Sequence, residues 1–369
     1  MGYIHERPDW PKFYWSAERL GERLAEVRYR QGLLLGKMRS LGFDARTEVS
    51  VETLTTDIVR SSTIEGENLN YEQVRSSIAH SLGIETAALP PSDRHIEGIV
   101  EMALDATTQY DKPLTAERLC AWHAALFPDG RSGLRRIAVG RWRTPDSDPM
   151  QVISGGFGRE RIHFEAPPAI KIPVEIERFI DWFEASVDTD LLLRAGIAHL
   201  WFVTIHPFED GNGRIARAVA DMALARAEES RERFYSMSSQ IAHERKTYYE
   251  ILESTQHGGM DITRWLEWFV ACLGRALEGA EAAANAVLRR ARIWNEIGGH
   301  PMNDRQRLII GRLLNDFQGK LTSSRYAKIA RCSPDSALRD LQELIAFGIL
   351  KKGTQGGRST SYELDERLC

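Results

Sequence analysis

The sequence predicts a mainly α-helical protein, interrupted once by a short β-hairpin and closed by a small C-terminal domain of helices and a strand pair. Three observations predict it. Apolar residues recur at three- and four-residue spacing through most of the chain. The helical rhythm breaks over one stretch, 133–168. The 369 residues are 43% hydrophobic and 27% charged, a folded composition with room for two or three cores.

The elements follow in order. Trp10, Phe13, Tyr14 and Trp15 form an aromatic cluster that reads as a packing plug, and Ala17 to Leu41 follows with leucines spaced for one buried face. Val49 to Ile64 is helical and stops at Gly66, which leaves Glu65 as an anion at a helix C-terminus. The helix dipole disfavours that by about 0.3–1 kcal/mol, so a compensating cation is expected. Residues 97–126 continue helical, with Thr115 at a helix start and His123 as a packing histidine. Two extended runs, 151–154 and 161–164, flank glycines and read as a hairpin. Helical patterns return at 191–204, 214–227 and from Lys246, then over Ile262 to Val287, before a linker rich in Ala and Arg. From Asn303 come helices at 305–314, 323–330 and 335–347, then strands at 348–352 and 359–364 around a Gly-rich turn.

Composition narrows the function classes. The net charge of −4 gives no overall basic balance for nucleic acid. The most apolar stretch is broken by Arg194 and His199, and no signal pattern opens the chain, so no membrane partner is expected. Cys120, Cys272, Cys332 and Cys369 show no CxxC spacing and read as reduced thiols of a cytoplasmic protein. Histidine spacing offers no zinc site.

The chemistry concentrates in Ile205–Arg217, IHPFEDGNGRIAR, between two apolar helices. A Gly-Asn-Gly turn running into a helix presents free N–H groups and a positive dipole end to phosphate oxygens. Gly211 and Gly213 permit close approach. Arg214 and Arg217 add forked donors one helical turn into the site. Asp210 is a hard oxygen ligand suited to Mg²⁺ shared with phosphates. His206 is the side chain whose ordinary pKa suits a general base near neutral pH.

This string resembles the signature of the Fic (filamentation induced by cAMP) family, H-x-F-x-[DE]-G-N-[GK]-R-x-x-R, at every specified position. The resemblance implies a helical catalytic core that transfers AMP from ATP to a Ser, Thr or Tyr hydroxyl of a target protein or of itself. His206 is then the base and Asp210 the Mg²⁺ ligand. Asn212 and the amides of Gly211 and Gly213 hold the α-phosphate, with Arg214 and Arg217 on the β- and γ-phosphates and Phe208 as a core anchor. Glycine at 213, where the kinase-like branch carries lysine, favours nucleotidyl transfer.

The resemblance extends further. Ser61-Ser62-Thr63-Ile64-Glu65-Gly66 matches the family's inhibitory motif, with Ser61 and Glu65 in its defining places, which implies that Glu65 pairs with Arg217 and that the enzyme is autoinhibited. The hairpin resembles the family's flap, with Gln151, Val152 and Ile153 as the target-docking edge. Tyr248, Tyr249 and Gln256 fall where relatives contact adenine and ribose, although the family more usually has Asn at the last position. Helix, helix-turn-helix and strand pair together resemble a winged helix. From His300 on, 12 Lys and Arg face 8 Asp and Glu, net +4, which leaves DNA as a possible partner of 300–369 beside a protein-contact or homodimer role. Arg339 is the base-reading candidate, with Asp335, Asp340 and Glu343 beside it. The expected domains are 1–95, 96–290 and 291–369. Removal of AMP, transfer of another nucleotide-derived group, and a DNA-binding regulator are the alternatives.

Overall fold

The computed structural model describes residues 2–84, 91–147, 149–155, 161–185, 189–314, 317, 319–353 and 360–368. These form two compact units, 1–281 and 282–369. Both are mainly helical, with three small antiparallel strand pairs among the described residues.

The first unit opens on a short 3-10 turn and the aromatic plug. Trp10 donates its indole N–H to Glu175 (2.7 Å) and meets Phe13 and Trp201 edge-on, so this part of the cluster packs as expected, whereas Tyr14 is exposed. Helix α1 (Ala17–Arg39) starts where Ser16 accepts the Arg19 N–H. Helix α2 (Phe43–Ile64) begins six residues earlier than its periodicity indicates. Helix α3 (Tyr71–Ser81), capped by Asn70, has no counterpart in the sequence reading. Then come α4 (Arg94–Thr108) and α5 (Ala116–Leu126), capped by Asp93 and by Thr115.

The irregular stretch holds two hairpins. Strands β1 (Arg131–Ser132) and β2 (Arg135–Arg136) make a tiny one. Strands β3 (Gln151–Ser154) and β4 (Arg161–Glu165) make the expected one, with Val152 opposite Phe164 and Ile153 opposite Ile162 across a bulge. Helix α6 (Ile172–Glu184) follows.

The core is built on α7 (Leu191–Ile205) and α8 (Asn212–Glu228). From Leu192 to Ile205 every residue of α7 but Arg194 is buried, as expected of a helix apolar on all faces. Helices α9 (Met237–His243) and α10 (Arg245–Gln256) follow, and α11 (Thr263–Ile297) closes the unit. Residues 1–95 are not a separate domain. Asp57 of α2 caps the start of α9 through Ser236 Oγ (2.6 Å) and the Ser238 N–H (3.1 Å), and Gln31 of α1 donates to Glu228 of α8 (2.7 Å). The N-terminal helices thereby satisfy polar groups of the core.

The expected linker after Val287 is also corrected: α11 runs on to Ile297, because Ala and Arg are strong helix formers. In the second unit, α12 (Asp304–Leu314), α13 (Ser323–Ala330) and α14 (Pro334–Ala346) precede β5 (Leu350–Lys352) and β6 (Tyr362–Leu364). An isolated bridge joins Leu321 to Tyr362. Ile309, Ile310, Tyr326, Leu341, Leu344 and Ile349 form its core. Most of the Gly-rich turn, 354–359, lies outside the described residues. Asp340 faces inward, accepting from Arg305 (2.8 Å), Asn303 (3.0 Å) and Tyr326 (3.0 Å), while Glu343 accepts from Gln306 (2.8 Å). Of the three acidic residues noted on α14, only Asp340 is buried; Asp335 and Glu343 are exposed.

Candidate active site

Helix α7 ends where His206 takes a left-handed conformation (φ 52°, ψ 57°) and Pro207 follows. A non-glycine residue there costs of order 1–3 kcal/mol and persists only when its surroundings fix it. They do. The His206 N–H donates to Phe202 O (3.1 Å), and ring Nδ1 donates to Val203 O (3.0 Å). Arg143, almost fully buried, donates from Nε to His206 O (2.9 Å) and from its N–H to Pro207 O (2.9 Å), and its Nη2 reaches Pro167 O.

With Nδ1 committed to a carbonyl, the lone pair of neutral His206 is on Nε2, the form a base needs. Burial lowers the imidazole below its ordinary 6.5, partly opposed by the Val203 bond, so the ring is neutral at pH 7.

The loop closes on itself. Asn212 Oδ1 accepts the Phe208 N–H (3.0 Å) and its Nδ2 donates to Phe208 O (2.9 Å), so this buried amide braces the turn rather than pointing to a ligand. Phe208 is fully buried and stacks on His123 (centroids 4.1 Å, 3° between planes), with Trp142 at 4.9 Å. His123 is a packing residue, pushed down to about 4 by burial. Gly211 stands before α8 with φ 78°, and a Cβ there would meet the Phe127 ring at 2.9 Å. No side chain caps the first turn of α8, which leaves that helix start suited to an anion. Asp210, half-buried, accepts from the Gly211 N–H (2.6 Å) and from Ser132.

The two arginines are held by the segment that ends α2. Arg217, 3% exposed, donates to Ser61 Oγ and Ser61 O, both at 2.9 Å. Its Nη1 lies 2.8 Å from Glu65 Oε1, an ion pair rather than an aligned hydrogen bond. The cation demanded by Glu65 at the end of α2 is thus Arg217. The same carboxylate stands over the turn, since a Cβ on Gly213 would come within 2.2 Å of Oε1. Arg214 pairs with Glu67 (2.9 Å) and lies over the Phe127 ring (5.1 Å). Glu67 also bonds to His95, which holds its carboxyl below the usual range.

The other candidates are placed as follows. Tyr248 is a core residue, 1% exposed, whose hydroxyl pairs with His199 (3.0 Å). Gln256 is buried and donates to Thr204 (3.3 Å). Tyr249, half-buried, reaches the carbonyl of Ile64 (3.4 Å), the residue before Glu65. In the hairpin Gln151 donates to Glu165 (2.7 Å), Val152 is half-buried and Ile153 is 56% exposed, and β4 is the one paired neighbour of β3.

Three side chains that contact the candidate site were missed. Arg143 stood in a run read as irregular, and only the tertiary structure aims it at the loop. Glu67 lies two residues past Glu65, and His95 opens α4. A carboxylate so close to the expected inhibitory glutamate was a usable signal.

A neutral imidazole set across an uncapped, arginine-bearing helix start is an arrangement chemically suited to phosphate groups. Residues 113–224 match the Fic/DOC family model, and residues 3–84 match a domain of unknown function, DUF4172. Over residues 113–224 the chain is thus similar to the Fic/DOC family.

Its relatives include the protein adenylyltransferase Fic of Drosophila willistoni, 25% identical over 226 residues, covering 60% of this chain and 40% of that protein. The protein adenylyltransferase Fic of Nematostella vectensis is 25% identical over 236 residues (60% and 47%). The chain thus spans under half the length of these curated relatives. Among solved structures, a Fic family protein from Desulfovibrio desulfuricans G20 superposes with a TM-score of 0.55 at 20% identity over 96% of this chain and 98% of that one. A Fic domain containing signaling protein from Bacteroides thetaiotaomicron VPI-5482 gives 0.50 at 21% identity (71% and 97%). At such identities the likeness speaks for the fold. No described helix is long and apolar enough to cross a membrane.

Proposed function

We propose that this chain is an autoinhibited protein adenylyltransferase, moving AMP from ATP to a hydroxyl of a target protein or of itself. The observation that carries the reading is the pairing of Glu65 with Arg217 at the mouth of a turn whose base is already in its reactive tautomer. In the transfer, His206 Nε2 takes the proton of the attacking Ser, Thr or Tyr hydroxyl. The oxygen bonds to the α-phosphorus, and pyrophosphate leaves with the electron pair of the broken bond. The N-terminal amides of α8, with Arg214 and Arg217, stabilise the charge on the phosphates.

Among the described residues no group of three or more His, Cys, Asp or Glu could hold a metal, so a permanent protein cage does not fit. One carboxylate beside a phosphate site does suit Mg²⁺ arriving with ATP, and Asp210 would hold it. Bound there, the ion neutralises phosphate charge.

Inhibition follows from occupancy. Glu65 holds Arg217 and Glu67 holds Arg214, so both guanidinium groups meet carboxylates where phosphates should bind. The experiment is incorporation of α-labelled ATP by the full chain and by Glu65→Gly. We expect self-labelling at least about tenfold higher in the variant; equal labelling of the two forms would remove the inhibitory reading, and no labelling of either the transferase reading. Glu65 over the turn also suits removal of AMP by activating water, so loss of AMP from a labelled chain is to be followed in parallel. CTP, GTP and UTP in place of ATP test other transferred groups.

We read 300–369 as a winged helix serving protein contact, homodimer formation included. The burial of Asp340 removes part of the objection to DNA, while Asp335 and Glu343 stay exposed, so salt-dependent binding to duplex DNA, lost in Arg339→Ala, is the test of the regulator alternative.

A further inference from the structure

The hairpin carries a second reactive cluster that the transfer chemistry above does not use. Ser154 ends β3 and is exposed. Its Oγ lies 2.5 Å from Nε2 of His163 on β4, and His163 Nδ1 lies 2.7 Å from Oε2 of Glu253 on α10. A carboxylate only accepts, so Nδ1 carries the proton and Nε2 turns its lone pair to the hydroxyl, which donates to it.

The relay is held from behind. Glu253 Oε1 accepts from Arg161 Nη2 (2.7 Å), and His257 Nε2 donates to the carbonyl of His163 (2.9 Å). Hydroxyl, imidazole and carboxylate in series, the carboxylate fixed by a third group, make an activated nucleophile on any fold that assembles them. A mere tie between hairpin and α10 is already supplied by Arg161 and Glu253, and it requires no exposed hydroxyl at its end.

We propose that Ser154 is an activated nucleophile and this chain's own acceptor, modified in trans by a second copy. The donor step rests on the adenylyl-transfer reading. Ser154 lies on extended backbone, the conformation that pairs with the free edge of another copy's β3. Its Oγ bonds to the α-phosphorus of ATP held by that copy, and the bond from phosphorus to the β-phosphate oxygen breaks. Pyrophosphate leaves with the electron pair. The hydroxyl proton passes to His163 Nε2, whose cation Glu253 stabilises, and from there to His206 Nε2 of the copy that holds the ATP, the base of the transfer.

The test mixes full-length chains. The donor is Glu65→Gly with Ser154→Ala; the acceptor is His206→Ala, which lacks the base. With α-labelled ATP, peptide mapping is expected to find AMP on Ser154 of the acceptor. Adding Ser154→Ala to the acceptor should abolish it, and adding His163→Asn or Glu253→Gln should slow it about 100-fold or more with the melting temperature unchanged. AMP on the acceptor elsewhere but not on Ser154, or an unaltered rate in His163→Asn, overturns the proposal and leaves the transferase reading standing. If nothing is labelled at all, transfer itself fails, and a fluorophosphonate probe decides the nucleophile. Labelling of Ser154 that disappears in His163→Asn supports it, and no labelling overturns it.

Discussion

The turn at 206–212 and the arginine row at 214 and 217 are neighbours in sequence and are held in opposite ways. The turn is braced mainly from nearby, His206 by Val203 and Phe202, Asn212 by Phe208 and Asp210 by the next amide, with Arg143 and Ser132 added from 63 and 78 residues earlier. The arginines are held by Ser61, Glu65 and Glu67, about 150 residues away in the chain. Short-range contacts form whenever the loop forms, so the Val203 bond holds the His206 tautomer without help from α2. The arginines depend on a segment distant in sequence, and under the proposed inhibition it is this part of the site that would change.

Four measurements break or sharpen that contrast. His206→Ala should lower transfer by about 10²–10⁴-fold with ATP affinity unchanged; a matching loss of affinity in calorimetry would merge the two regions. Next, Asn212→Ala leaves the Phe208 backbone groups unpaired in a buried site, at a cost of about 1–3 kcal/mol. It should lower both kcat and Tm, and a normal Tm would show that the brace is not needed.

A smaller effect is expected from Glu67→Gln placed on Glu65→Gly. Freeing Arg214 should lower KM for ATP several-fold without raising kcat, and a rise in kcat instead would mean that Glu67 touches the reacting centre. The smallest effect near neutral pH is the pH dependence. Burial lowers His206 below 6.5, so its base form persists on acidification and the acid limb of the rate should lie below pH 6.5. Buried His199 and His123 sit at about 3 and about 4, below their unfolded 6.5. Each favours the folded state fully above pH 6.5, and that stability is lost as pH falls towards those values, at about 1.4 kcal/mol per pH unit. Urea melts at pH 7 and pH 5 should show the fall.

The same contrast explains what could be read in advance. Helices α7 and α8, the hairpin of β3 and β4 and the turn between Ile205 and Arg217 are periodicity, glycine placement and local spacing, and all are visible in sequence. Helices α3, α6 and α9 were not read, although α3 carries its own Asn70 cap and α6 spaces Ile172, Ile176, Phe179 and Phe183 for one buried face; the short α9 depends on Asp57 of α2, and the linker expected after Val287 proved to be helix.

By itself the sequence determined the helical class, the anion-binding turn, the base beside it and the anion at the end of α2 that had to find a cation. The resemblance named Arg217 as that cation; only the tertiary structure decided that Ser61 also reaches it, that Glu67 pairs with Arg214, that Arg143 clamps His206, and that Tyr248 and Gln256 turn inward. The physical reason is range. Backbone preference and dipoles act within a turn or two of chain, whereas ion pairs and buried hydrogen bonds between distant segments exist only once burial has removed water and the fold has brought their partners within 3 Å.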